Sequence, residues 1–169
     1  MPTVEATFDG RAFVPAVAPG LAAGTSVRLT YEAEEIDGAT AKQWVEDHRA
    51  SLEQRHFVRH TSTKQNSYDV PASELQSYID KFGNDFCVVF YGDRRKDADA
   101  PFALVVPFGN ARDVFDLESQ ATRPNGQKRW IGYFSGEWII RAGAGDTART
   151  ADWAAFVNRI DLLKAEKEE

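Results

Sequence analysis

Three histidines and three arginines crowd the run HRASLEQRHFVRH, as His48, His56 and His60 with Arg49, Arg55 and Arg59. A metal site is the first chemistry to test there. Zinc needs ligands that converge on one point, which two histidines achieve at i and i+4 on a helix. His48 and His56 are eight residues apart across an expected helix end, with no cysteine or carboxylate at a recognised spacing. His56 and His60 have the four-residue spacing, but on a strand it stretches over about 13 Å of one face. Neither pair predicts shared ligation, so the run reads as a solvated or phosphate-contacting face and no cofactor is expected. A metal-dependent nuclease of the restriction type needs an acid and then an acid-x-lysine triplet on adjacent strands. No Asp/Glu-x-Lys triplet occurs, and Asp93-Arg94-Arg95-Lys96 falls in a loop with the wrong spacing. G-x-S-x-G, the P-loop and G-x-G-x-x-G are missing too, and the glycines of RAGAGDTAR make an incomplete phosphate-binding pattern that a turn explains. A small hydrolase or metal-dependent nuclease would have to gather scattered residues such as His56, His60, Asp85 and Asp93.

Binding chemistry is better provided for. The net charge is −6, which argues against overall attraction to nucleic acid, so any phosphate contact must come from local cations. The middle of the chain holds them: Arg55, Arg59 and Lys64, then Arg94, Arg95 and Lys96, then Lys128 and Arg129 close to Arg123. The last group runs into Trp130, Tyr133, Phe134 and Trp138. Aromatics interleaved with cations on a hairpin are what base stacking requires, each stacked base contributing on the order of 1–3 kcal/mol. Strand alternation sends Trp130 and Phe134 to one side and Ile131 and Tyr133 to the other, so half of these side chains must be core whatever the function. The expectation is that the eight cations position phosphates while Trp130 or Trp138 stacks on a base of DNA or RNA.

The elements that must position these residues centre on DFCVVFYGDRRKDADAPFALVVPF, residues 85–108. Two short Val- and Phe-rich runs there predict neighbouring strands covered on both faces, joined by a charged solvent loop. Cys87 sits inside the first run and reads as a small buried hydrophobe. Before this centre, Ala41 to Gln54 predicts an amphipathic helix beginning near Thr40, and HFVRHTSTKQNSYDVP predicts a strand or an open hairpin. Ser73 is placed to cap a helix that carries Leu75, Tyr78, Ile79 and Phe82 and ends at Gly83. After it, GNARDVFDLES predicts one short helix, RWIGYF and EWIIR the arms of a hairpin, and Asp152 to Lys164 a closing helix. With 43% apolar and 27% charged residues in 169, the composition is that of a globular protein rather than a disordered one. No signal peptide or membrane span is visible, so a cytoplasmic location without membrane contact is expected.

The first residues form a separate pattern. TVEATF, the Asp9-Gly10 turn and RAFVP predict a hairpin, and TSVRLTYE a third strand. ATFDGRAFVP, the Leu-x-x-Gly-Thr segment LAAGT and SVRLTYE together resemble the short antitoxin-type family of prokaryotic β proteins encoded beside PIN-domain ribonuclease toxins. The resemblance covers residues 2–32, with Ala22 where the family has proline. It implies a core of Phe8, Phe13, Leu21, Val27 and Leu29, and a protein partner, either a toxin or a second copy of the chain. The expected organisation is therefore an N-terminal β meander over residues 1–35 and an α+β domain over residues 36–169, with a mostly antiparallel mixed sheet and three to four helices. The expected function is non-catalytic nucleic-acid binding in a prokaryotic defence or toxin-antitoxin setting. The alternative is a protein-interaction module pairing through residues 1–32.

Overall fold

The computed structural model describes residues 6–8, 13–15, 20, 36–61, 67–94, 100–117, 119–135, 137–142 and 148–164, with the backbone alone at 6–8, 13–15, 94 and 142. Strands β1 (Ala6–Phe8) and β2 (Phe13–Pro15) pair antiparallel with Phe8 opposite Phe13, the two arms of the expected hairpin, and the Asp9-Gly10 turn lies outside the described residues. The expected third strand, Thr25 to Glu32, lies outside the described residues.

From residue 36 onward the chain is α+β and builds two sheets. The first holds β3 (Phe57–His60), β5 (Cys87–Arg94) and β6 (Ala100–Pro107), with β5 in the centre, parallel to β3 and antiparallel to β6. The second holds β4 (Ser67–Pro71), β8 (Lys128–Phe134), β9 (Ile139–Ala142) and β10 (Arg149–Asp152), with the short β7 (Ala121–Thr122) beside the start of β8. Its pairings are antiparallel. Helix α1 (Gly38–Leu52) covers the first sheet, and α2 (Ala72–Phe82) connects β4 to β5. Single turns of helix, α3 (Phe108–Ala111) and α4 (Asp161–Lys164), follow β6 and close the described chain. No described helix is long and apolar enough to cross a membrane.

Alternation along β5 explains the layering. Val88 and Phe90 point into a cluster shared with Tyr68, Val70, Trp130, Phe134 and Ile140 of the second sheet, whereas Cys87, Val89 and Tyr91 point to Ala41, Val45 and Leu52 of α1. A strand buried on both faces must be apolar at every position, which is why FCVVFY carries no polar–apolar rhythm. Each fully buried Val, Leu or Phe here contributes about 1.5–3 kcal/mol. Asp37 starts α1 by accepting from the Ala39 and Thr40 N–H groups at 3.0 and 3.1 Å. Its carboxyl is held below the usual range, chiefly by the Thr40 hydroxyl and N–H. At Gly38 a Cβ would lie 1.9 Å from the Pro101 carbonyl oxygen, so only glycine lets α1 begin this close to β6.

Four sequence expectations are corrected. HFVRHTSTKQNSYDVP is not a hairpin: β3 and β4 belong to different sheets. Pro71, not Ser73, occupies the cap position of α2 and makes no side-chain bond there. Trp138 lies outside the hairpin arms, in the turn, with φ of 61°. Asp152 to Lys164 is not one helix. It splits into the end of β10, a 3-10 turn at Ala154–Phe156 and α4, because Asn158 takes a left-handed φ of 57°. Asn158 accepts from the Ala103 N–H through its side-chain oxygen at 3.1 Å and donates its own N–H to the Ala103 carbonyl. The apolar residues still point inward, with Trp153, Ile160 and Leu163 buried.

Candidate functional site

Among the described residues, the fold places the sequence-predicted site residues in separate parts of the two sheets. Arg55 lies where β3 and β5 begin, 2.9 Å from Asp85 and above the Phe82 ring. Arg59, on β3, pairs with Glu74 of α2 and covers Phe57. Arg94 ends β5 at the opposite end of the strand, about 23 Å from its start. Lys64, Arg95 and Lys96 lie outside the described residues. Lys128 and Arg129 belong to the second sheet. The scattered hydrolase set divides the same way: His56 and Asp85 precede β3 and β5, while His60 and Asp93 stand near the far ends of those strands. His56 is buried, its Nδ1 accepting from the Cys87 N–H at 3.1 Å, and Asp93 binds Lys42 at 2.9 Å. That carboxylate raises the Lys42 pKa. These four residues therefore cannot form one catalytic centre. Among the described residues no three of His, Cys, Asp and Glu are grouped to hold a metal.

Of the two tryptophans, Trp130 is corrected. Trp130 is 2% exposed, sits edge-on to Phe115 and donates its indole N–H to the Asp116 carbonyl at 2.7 Å. A ring with both faces in the core cannot stack on an incoming base. Trp138 is half-buried, edge-on to Phe102 at 4.9 Å between ring centroids. Its indole is a lid on the aromatic core before it is anything else.

What the hairpin presents to solvent is the other half of the alternation. Tyr133 is 53% exposed and Ile139 37%, with Ile131 partly exposed two residues before Tyr133 on β8. The register aligns Ser67, Tyr133, Arg141 and Thr150 across β4, β8, β9 and β10, and sets Asp69 opposite Ile131. Asp69 accepts from both Arg123 and Arg129, so this trio carries a net charge of +1. Arg141 is exposed and has no ion pair among the described residues. Gly132 keeps the platform closely paired: a Cβ there would lie 2.2 Å from the Arg141 carbonyl oxygen and 2.3 Å from the Tyr68 hydroxyl. The alternation of RWIGYF is the sequence signal for Tyr133. Nothing in sequence marks Asp69 and Arg123 as partners, since they are 54 residues apart.

Beside Arg129 a cleft of about 510 Å³ opens between the start of α2, Leu117 and Gln120, and the start of β8. Asp116, just behind it, is bound by Arg149 at 2.6 Å. Burial pushes its carboxyl up, but the Ser119 N–H and Arg149 outweigh this and hold it low. Comparison of the chain with family models, with curated proteins and with solved structures found no match.

Proposed function

We propose that the chain is a non-catalytic protein-interaction module whose docking surface is the outer face of the second sheet. The observation that carries this reading is Tyr133, an aromatic residue 53% exposed at the middle of an open sheet face. It is flanked by Ile131, Ile139 and Arg141. Tyrosine and arginine are the residue types that concentrate binding energy in protein interfaces. Arg123 and Arg129 already share one carboxylate, so the face suits a partner of low charge with apolar groups better than a polyphosphate. Under the same reading the antitoxin-like unit at residues 2–32 serves a toxin-type partner or a second copy of the chain.

The test is site-specific photocrosslinking in the producing cell. A benzophenone side chain at position 133 should capture one protein band, whereas the same group at the exposed Ser51 on α1 should not. Equal capture at both positions, or none at 133, overturns the reading. A nucleic-acid reading is favoured by a different observation, the pairing of Tyr133 with the exposed Arg141 across β8 and β9. It requires binding of a single-stranded oligonucleotide that weakens steeply with salt and is lost on Tyr133→Ala.

A further inference from the structure

Tyr133 and Arg141 stand directly opposite each other on β8 and β9, on the outer face of the second sheet. Both are exposed, and neither side chain has a hydrogen-bond, ion-pair or ring-contact partner among the described residues. Around them lie Ile131, two residues before Tyr133, and Ile139, two before Arg141. Charge on the described face is balanced. The Asp69 trio and Arg141 carry +1 each, while Asp152, opposite Ile139 on β10, and Glu137, in the β8–β9 turn, are exposed and carry −1 each. Residues 143–147 lie outside the described residues. An occupant complementary to this face has an aromatic ring for Arg141, a cation for Tyr133, apolar groups for the two isoleucines and little net charge. The face itself has each of these.

On the reading of this face as a docking surface, on which the assignment rests, we propose that the partner is a second copy of the chain, docked face to face. A two-fold axis between β8 and β9, parallel to the strands, sets Tyr133 of each copy over Arg141 of the other, so a cation–ring contact is made twice. The same axis sets Ser67 against Thr150 and Ile139 against Ser135, because these residues hold exchanged places in the register. An axis across the strands along the Tyr133 row sets Arg141 against itself and is excluded by charge. Aligned sheets pack about 10 Å apart with strands within about 30° of parallel, which this arrangement needs. At ordinary strand spacing the platform is about 19 Å by 20 Å, smaller than the roughly 800 Å² per partner of a standard interface, so the pairing is weak and reversible.

The test is sedimentation of the purified full chain from micromolar to millimolar concentration. The wild type should pass reversibly from monomer to dimer. Tyr133→Arg, which sets cation against cation at both contacts, should weaken the pairing about tenfold or more, and Arg141→Glu should weaken it likewise. An equimolar mixture of the two variants should associate more tightly than either alone, since it restores one cation–ring contact and makes an ion pair of the other. Both positions are exposed, and urea unfolding checks that each variant is folded. A chain monomeric at millimolar concentration, a dimer that Tyr133→Arg leaves intact, or a mixture no tighter than its parts overturns the assignment. Crosslinking from position 133 separates this outcome from the docking reading. A band at twice the mass of the chain supports self-pairing; a different band, from a chain that is monomeric when pure, removes the second copy and keeps the docking surface; no band removes both.

Discussion

Acid should unfold this protein partly through one imidazole. His56 is 3% exposed, and its pKa is held down to about 4, first by burial and then by the neighbouring Arg55 charge, with Asp85 opposing. The unfolded chain has the ordinary value of 6.5. Between those two values the unfolded state binds a proton that the folded state refuses, so stability rises with pH in that window. The contribution is fully present above pH 6.5 and is lost as pH falls from there to about 4. At 1.36 kcal/mol per unit, the full loss is about 3 kcal/mol, of which about 2.5 kcal/mol has gone at pH 4.5. The matching perturbation is His56→Asn, whose side-chain oxygen can replace Nδ1 as acceptor for the Cys87 N–H but does not titrate. Urea unfolding at pH 7 and pH 4.5 measures both proteins. The carboxylates contribute equally to the two, so the wild type should lose about 2.5 kcal/mol more than the variant, whatever the variant's absolute stability. Equal losses, or an imidazole seen by NMR to titrate near 6.5, would refute the reasoning.

Two further outcomes follow from the inter-sheet core. Gly132→Ala should cost about 2–4 kcal/mol in urea unfolding, since its Cβ meets the Arg141 carbonyl oxygen at 2.2 Å and neither strand can yield without breaking pairs. An effect below 1 kcal/mol would show that β8 and β9 are not held that closely. Tyr68→Phe should be neutral or stabilising by up to about 1 kcal/mol, because the buried hydroxyl has no hydrogen-bond partner among the described residues. A destabilisation larger than that would mean the hydroxyl is bonded in solution.

The α+β class and the central pair of strands were legible because local pattern determines them. Residues 87–91 and 102–106 are too short and too Val-rich for helices, and burial on both faces leaves them no other place. The helix ending at Gly83 was equally plain, since a φ of 62° there is what a glycine after an amphipathic run supplies. Two sheets could not be told from one, because the assignment of β3 and β4 to different layers depends on pairing partners far away in sequence. The closing segment misled for a related reason. Trp153, Phe156, Ile160 and Leu163 keep a helical rhythm, yet Leu104 forms a bridge with Val157 and the helix breaks there. Charge clusters were the least legible feature. Local basic runs are visible in sequence, but the carboxylates that neutralise them are not: Asp85 lies 30 residues from Arg55, and Asp69 lies 60 from Arg129.

Asn158 turns a short irregular stretch into a gasket. By meeting both backbone groups of Ala103 it occupies the free rim of the first sheet, where an unsealed row of donors and acceptors invites another chain to zip on. That flank is thus closed to fibril-like growth and to strand exchange, at the expense of one residue's backbone comfort. Polymerisation of a damaged molecule would have to start from the β3, β4 or β10 flank instead.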